Sequence, residues 1–142
     1  MRLDRRSFLG AVAGAAVLPD MALAQGRAPF PLYDTHAHFF SNDTAHYPFN
    51  PGAPLTVRER IVARVMSTPM TPEVVFRLWD ETGVAMGCGV QYNSIYQTDN
   101  RYLIHITRAH PDRITAIVIL KPVDGSTPAT LEKMARQDRI AG

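Results

Sequence analysis

Residues 114–120, Ile114-Thr115-Ala116-Ile117-Val118-Ile119-Leu120, form a run without a charged side chain and rich in β-branched residues. A run of this length and composition predicts a strand covered on both faces, as in a parallel sheet closed over by helices. On its amino-terminal side, Thr98-Asp99 opens a predicted helix in which Tyr102, Leu103, Ile106 and Ala109 share a face, and His110-Pro111 stops it. Before that, residues 84–92 are another apolar run of strand length. Thr71-Pro72-Glu73 precedes it as a helix start: a hydroxyl cap, a proline whose missing N–H costs nothing, and an acid in the first turn. Val75, Leu78, Trp79 and Thr82 then fall on one face, and Gly83 is placed to end the helix.

Further upstream, residues 30–40 read as a strand with aromatic ends, followed by the loop SNDTAHYPFNPGAP at 41–54. Thr56 and Glu59 have capping-box spacing, and Val57, Ile61 and Val65 repeat at helical spacing, so a helix is expected over 57–66. Downstream of the opening run, Thr127-Pro128 begins a helix with Leu131, Met134 and Ala135 inward, and residues 139–142 read as the opening of one more strand. Alternation of this kind argues for a parallel sheet of βα units. A closed (β/α)8 barrel takes roughly 250 residues. The chain of 142 residues is therefore expected to be the amino-terminal portion of a TIM barrel, about three to four βα units, incomplete at its carboxyl end. A complete small open-sheet domain is the competing reading.

The amino terminus carries a separate signal. Arg5-Arg6 is followed by Phe8-Leu9, an uncharged stretch over 10–18, and Ala22-Leu23-Ala24, a small-x-small cleavage pattern. This resembles a twin-arginine export signal over residues 1–24, leaving 25–142 as the mature domain with a periplasmic or otherwise exported location. The apolar stretch is shorter than the ~20 residues needed to span a bilayer, so a stable membrane anchor is not expected. Removing the segment takes three arginines and two aspartates from 15 basic and 13 acidic residues. The remainder is almost neutral and offers no electrostatic argument for nucleic acid. The single Cys88 cannot form an internal disulfide, and is read as a small buried residue.

The motif that bears chemistry is Tyr33-Asp34-Thr35-His36-Ala37-His38-Phe39-Phe40. In a regular strand Asp34, His36 and His38 share one face. The histidines lie roughly 6.6 Å apart along the strand, close enough for both rings to reach one ion. They stand at the strand's carboxyl end, where parallel α/β folds keep their active sites. Spacing alone leaves open ordinary strand-end polar residues, since two ligands do not complete a metal site.

With the D-x-H-x-H, the Tyr-Pro-bearing loop, SIYQTDNRYL after the second strand and HPDRITAIVIL into the third, the chain resembles the amidohydrolase-related family of metal-dependent (β/α)8 hydrolases. Within it the likeness is to the pyrone-dicarboxylate lactonase branch. The resemblance implies that His36 and His38 ligate a divalent ion, most often zinc. It also implies an Asp base that lies beyond Gly142, and hydrolysis of a lactone, cyclic amide or related ester or amide of a small carboxylated compound. In the lactonase branch the metal is not guaranteed, and the same histidines could polarise a carbonyl by hydrogen bonding. Decarboxylation of an aromatic or muconate-type acid is the alternative chemistry. A non-catalytic remnant or binding module is the alternative of another class.

Other residues are expected at the mouth. Tyr47 in the first loop could donate to a substrate carboxylate or simply pack. Ser94, Tyr96 and Asn100 follow the second strand and are read as substrate-binding, with Thr98 and Asp99 as helix caps. Lys121 follows the third strand and could meet an anionic group or be solvated. His46, His105 and His110 are read as non-ligating. The implied partners are the small substrate and the twin-arginine machinery, with the oligomeric state undetermined.

Overall fold

The computed structural model describes residues 30–52, 55–138 and 140–142; the export signal over 1–24 lies outside them. The elements are β1 (Leu32–Ala37), α1 (Leu55–Ser67), α2 (Pro72–Thr82), β2 (Val84–Val90), α3 (Asn93–Tyr96), α4 (Arg101–Ala109), β3 (Ile114–Ile117) and α5 (Thr127–Gln137). The strands lie in the order β1-β2-β3, both pairs parallel, as the alternation requires. Ile140 bridges Ala116 in parallel, with backbone hydrogen bonds Ala141 N–H to Ala116 O and Val118 N–H to Gly142 O, so residues 140–142 start a further strand beside β3. Among the described residues no helix is long and apolar enough to cross a membrane.

Side chains alternate across the sheet. Gly87 and Gly89 on β2 and Ile114 and Ala116 on β3 are buried beneath α2 and α4, while Cys88 and Thr115 point to the opposite face. The glycines let the layers close: a Cβ on Gly89 would come 2.7 Å from Leu103 Cδ1 of α4 and 2.6 Å from Ile114 Cδ1. The core is completed by Val65 of α1, Val75 and Trp79 of α2, and Tyr102, Leu103, Ile104 and Ile106 of α4.

Several expectations are corrected. α1 already starts at Leu55, so Thr56 lies inside the helix rather than capping it; side chains at 55–58 are outside the description. On α2, Gly83 does end the helix in a left-handed conformation at φ 81°, but Thr71 makes no side-chain cap bond. Its hydroxyl is engaged with Glu73 instead and holds that carboxyl below its ordinary pKa. Leu78 is exposed, and Phe76 packs against the core in its place. Leu131 and Ala135 of α5 are also exposed, and Met134 alone of the three rests on the core. Cys88 is only half-buried, its thiol 3.3 Å from the Tyr33 hydroxyl and 3.5 Å from Thr115 Oγ1.

β3 is shorter than the apolar run that predicts it because the sheet around it changes partners. β2 turns away after Val90 into the short helix α3, so Ile119 cannot continue the ladder. The Asn100 side chain takes the strand's place, accepting from Ile119 N–H at 3.0 Å and donating to Ile119 O at 2.8 Å.

Candidate active site

β1 does not follow a simple two-residue alternation through the motif. Asp34 pairs with Gly87 and Ala37 with Gly89, so Thr35 and His36 on β1 stand against Cys88 alone on β2. One extra residue of this kind is a bulge, and it resets which face each later side chain takes. Before it, the Tyr33 hydroxyl meets Cys88 Sγ and Thr115 Oγ1 at 3.1 Å, while Asp34 turns under the sheet to accept the Trp79 indole N–H at 3.0 Å. After it, Phe39 packs edge-on against Trp79 and Phe76 on the helix side, which leaves His36 and His38 on the side away from α2. The expectation that Asp34 shares the histidines' face is therefore corrected: the bulge separates them.

His36 and His38 are brought together, Nε2 to Nε2, at 3.4 Å, with rings edge-on at a centroid distance of 4.9 Å. His38 is half-buried and His36 is exposed. The Nδ1 of His38 lies 2.9 Å from the carbonyl of Val90, the last residue of β2. A carbonyl only accepts, so Nδ1 carries a proton, which in the neutral ring leaves Nε2 with its lone pair. The Tyr92 ring lies tilted to the same ring at a centroid distance of 4.9 Å and also stacks on Phe40. Val90 at the end of β2 and Tyr92 just beyond it thus orient His38. Among the described residues no group of three or more His, Cys, Asp or Glu is arranged to hold a metal ion.

Of the other candidate residues, Tyr47, Tyr96 and Asn100 make side-chain contacts of their own. Tyr47 reaches α4, where its hydroxyl contacts His105 Nδ1 and its ring lies 4.7 Å from that of Tyr102. It lines a groove of about 640 Å3 with His105, Arg108, Met134 and Asp138, a groove that includes neither histidine of the pair. Tyr96 is buried at 1% exposure, with its hydroxyl accepting from Ser41 N–H at 3.0 Å. Burial pushes its phenol above the ordinary pKa, so it stays a neutral hydroxyl. Asn100 spends its amide on Ile119 and on Thr98 O. Ser94 is half-buried, and Lys121 is exposed with its carbonyl accepting from Thr127 Oγ1. His46 pairs with Asp43 at the surface, and His110 stands edge-on to Phe76.

Sequence reasoning missed Asp34, Trp79, Val90 and Tyr92 as the setting of the histidines. The Asp34 signal lay within the motif itself, as a carboxylate two residues ahead of a strand-end histidine. A carbonyl contact such as that of Val90 has no sequence signature.

No family model matches the chain, and no curated protein does. Solved structures do. One, of a probable 2-pyrone-4,6-dicarboxylic acid hydrolase from Acinetobacter baumannii with citric acid bound, is 21% identical with a TM-score of 0.56 over 80% of this chain and 36% of that one. A second with the same provisional assignment, from Pseudomonas putida, is 25% identical with a TM-score of 0.57 over 79% of this chain and 35% of that one. The chain spans about a third of the length of the structures it matches, and over that span it shares their mixed α/β fold with its parallel sheet.

Proposed function

We propose that this chain supplies the first-strand part of the active site of an amidohydrolase-type (β/α)8 hydrolase. Its substrate would be a lactone, cyclic amide or related ester or amide of a small carboxylated compound. The observation that carries the reading is the convergence of the His36 and His38 Nε2 atoms at 3.4 Å, with His38 Nδ1 committed to Val90 O. The pair stands at the carboxyl end of a parallel strand, where α/β folds gather their chemistry. The names of the matched structures, hydrolases of a pyrone dicarboxylate, support the choice of a cyclic ester bearing carboxylates.

The pair fits two ligands of a divalent ion such as zinc. Nitrogens bound at 2.0–2.1 Å in tetrahedral geometry stand roughly 3.3 Å apart, close to the separation seen. A ring whose far nitrogen is held by a carbonyl is the usual outer support of a ligating histidine. A bound ion would supply Lewis-acid polarisation of the scissile carbonyl. The chain's own contribution is to present two imidazole nitrogens at that carbonyl, one of them with its tautomer fixed. Without an ion, His36 could donate its Nε2–H to a substrate carbonyl, the metal-independent form of the same reading. In either case water adds to the ring carbonyl, the ring C–O bond breaks, and the leaving oxygen departs as an enol. The resemblance to the family implies an Asp outside these residues that would take the proton from water. Export through the twin-arginine route, directed by Arg5-Arg6, belongs to the same proposal.

Incubating the purified full-length protein with 2-pyrone-4,6-dicarboxylate tests the reading, with ring opening followed by loss of pyrone absorbance and carbon dioxide measured in parallel. Ring opening abolished by His36→Ala and by His38→Ala is the expected result. Carbon dioxide release without ring opening would replace hydrolysis by decarboxylation, and neither signal would overturn both chemistries.

A further inference from the structure

Both carboxylate oxygens of Asp34 are committed. Oδ1 accepts the backbone N–H of His36 at 2.9 Å, and Oδ2 accepts the indole N–H of Trp79 from α2 at 3.0 Å. The first of these bonds falls inside the bulge, where two residues of β1 face one of β2 and the ladder has no regular partner for both. The second ties the bulge to the helix layer. Opposite, a Cβ on Gly87 would lie 2.5 Å from Asp34 O and 2.9 Å from both Asp34 Cβ and Trp79 Cη2, so Asp34 and Trp79 both close tightly on Gly87.

We infer that Asp34 is the positioning residue of the histidine pair: its carboxylate holds the bulge that carries His36 and His38 from the helix side of the sheet to the side where they converge. In a regular strand the three side chains of D-x-H-x-H would share one face, and the histidines would be driven in among Phe76 and Trp79. The extra residue reverses that parity, and an acceptor two residues back satisfies the N–H it displaces. The inference rests on the proposed reading of the pair as the reactive centre. It adds how the chain places them, and assigns the first residue of the motif to the framework rather than to the reacting groups.

The test uses the full-length protein and two readouts. Titration with zinc alone by calorimetry gives affinity, and nuclear Overhauser contacts between the His36 and His38 ring protons in the metal-free protein report convergence directly. Asp34→Ala, in protein whose far-ultraviolet dichroism is unchanged, is expected to lose the ring-to-ring contact and to bind zinc 10–100-fold more weakly, the range typical of lost outer support. Trp79→Phe keeps the His36 N–H bond, and is expected to retain the contact with affinity within about threefold, on the same scale. Asp34→Asn keeps an acceptor for His36 N–H and should behave like Trp79→Phe, which preserves the test should Asp34→Ala fail to fold. A ring-to-ring contact that persists in Asp34→Ala overturns the inference, as does an Asp34→Asn protein that loses the contact. Should the wild type show the contact but bind no zinc, the metal reading fails while the positioning role is decided by the contact alone.

Discussion

Replacing Gly87 by alanine probes a close approach of β1, β2 and α2. The added Cβ would sit 2.5 Å from Asp34 O and 2.9 Å from Asp34 Cβ and Trp79 Cη2. Unstrained carbon contacts begin near 3.5 Å, so β1, β2 and the indole must separate by roughly 1 Å. One of the obstructing atoms is backbone, which cannot rotate away. Overpacking of this kind costs about 1–3 kcal/mol. Displacing Trp79 also strains its bond to the Asp34 carboxylate, a charge-assisted bond whose loss costs about 1.5–3 kcal/mol. Against this, alanine recovers about 0.5–1 kcal/mol by restricting the unfolded chain. A net loss of about 3 kcal/mol is expected; with a urea m-value of about 2 kcal/mol/M, the midpoint falls by about 1.5 M. Gly89→Ala is the control: its Cβ meets Ile114 Cδ1 at 2.6 Å and Leu103 Cδ1 at 2.7 Å. Those are the mobile ends of side chains, so a loss of about 1 kcal/mol is expected, a shift of about 0.5 M. Gly125→Ala meets nothing within 4 Å and should be neutral or slightly stabilising. Urea unfolding followed by the fluorescence of the single tryptophan, Trp79, and by far-ultraviolet dichroism measures all three. A Gly87→Ala midpoint no lower than that of Gly89→Ala would refute the reasoning.

Arg108 of α4 donates from Nε to Asp138 Oδ1 at 2.7 Å, and the Asp138 side chain is only 7% exposed while Arg108 is open to solvent. Arg108→Ala removes the ion-pair partner of that buried carboxylate at the end of α5, and should cost about 2–3 kcal/mol, below the full value for a wholly buried pair; Asp138→Asn in the same background should recover part of it in urea unfolding. The Arg101 guanidinium beside Asp99, at 2.7 Å, holds that carboxyl below its ordinary pKa. Its folded pKa is depressed, so its contribution is present above the ordinary value near 4 and is lost as pH falls through the folded value. Asp43, Glu73 and Asp124 are lowered too. Asp99→Asn should therefore flatten, without abolishing, the fall of the unfolding midpoint below about pH 4; an unchanged acid limb would show that the pair contributes nothing.

The order of strands and helices was legible because each long element carries a local cause. The β-branched run at 114–120 and the Pro72 and Gly83 boundaries of α2 belong to that class, and tertiary packing had only to agree with them. What was not legible depends on residues far apart in the chain. α3 is too short, at Asn93–Tyr96, to show a period. The end of β3 is set by Asn100, whose amide substitutes for a neighbouring strand. On α2, Leu78 and Phe76 differ by two positions, and Phe76 is the one that packs inward, against Phe39 just past β1 and against Trp79. The histidine pair itself was legible as a pair, while its facing was not. A period of two put Asp34 with it, and one extra residue against Cys88 undid that.

Several polar side chains of the loops after β1 and β2 fasten those loops in place. Tyr96 receives Ser41 N–H on its buried hydroxyl, and Asn50 N–H donates to Ile95 O, so the loop after β1 is fastened at two points to the segment after β2. That segment is in turn held by Gln91, only 3% exposed, whose amide donates to Gln97 O at 3.1 Å and Asp99 O at 2.7 Å. Gln97 takes a left-handed φ of 51° in doing so, a conformation few residues other than glycine accept without cost. Val90 O, which orients His38, and Tyr92, which lies on its ring, belong to the same stretch of chain. Fastening the first loop to the second therefore also fixes the imidazole between them. The hydroxyl of Tyr96 and the amides of Gln91 and Asn100 thus hold these loops through hydrogen bonds to the main chain.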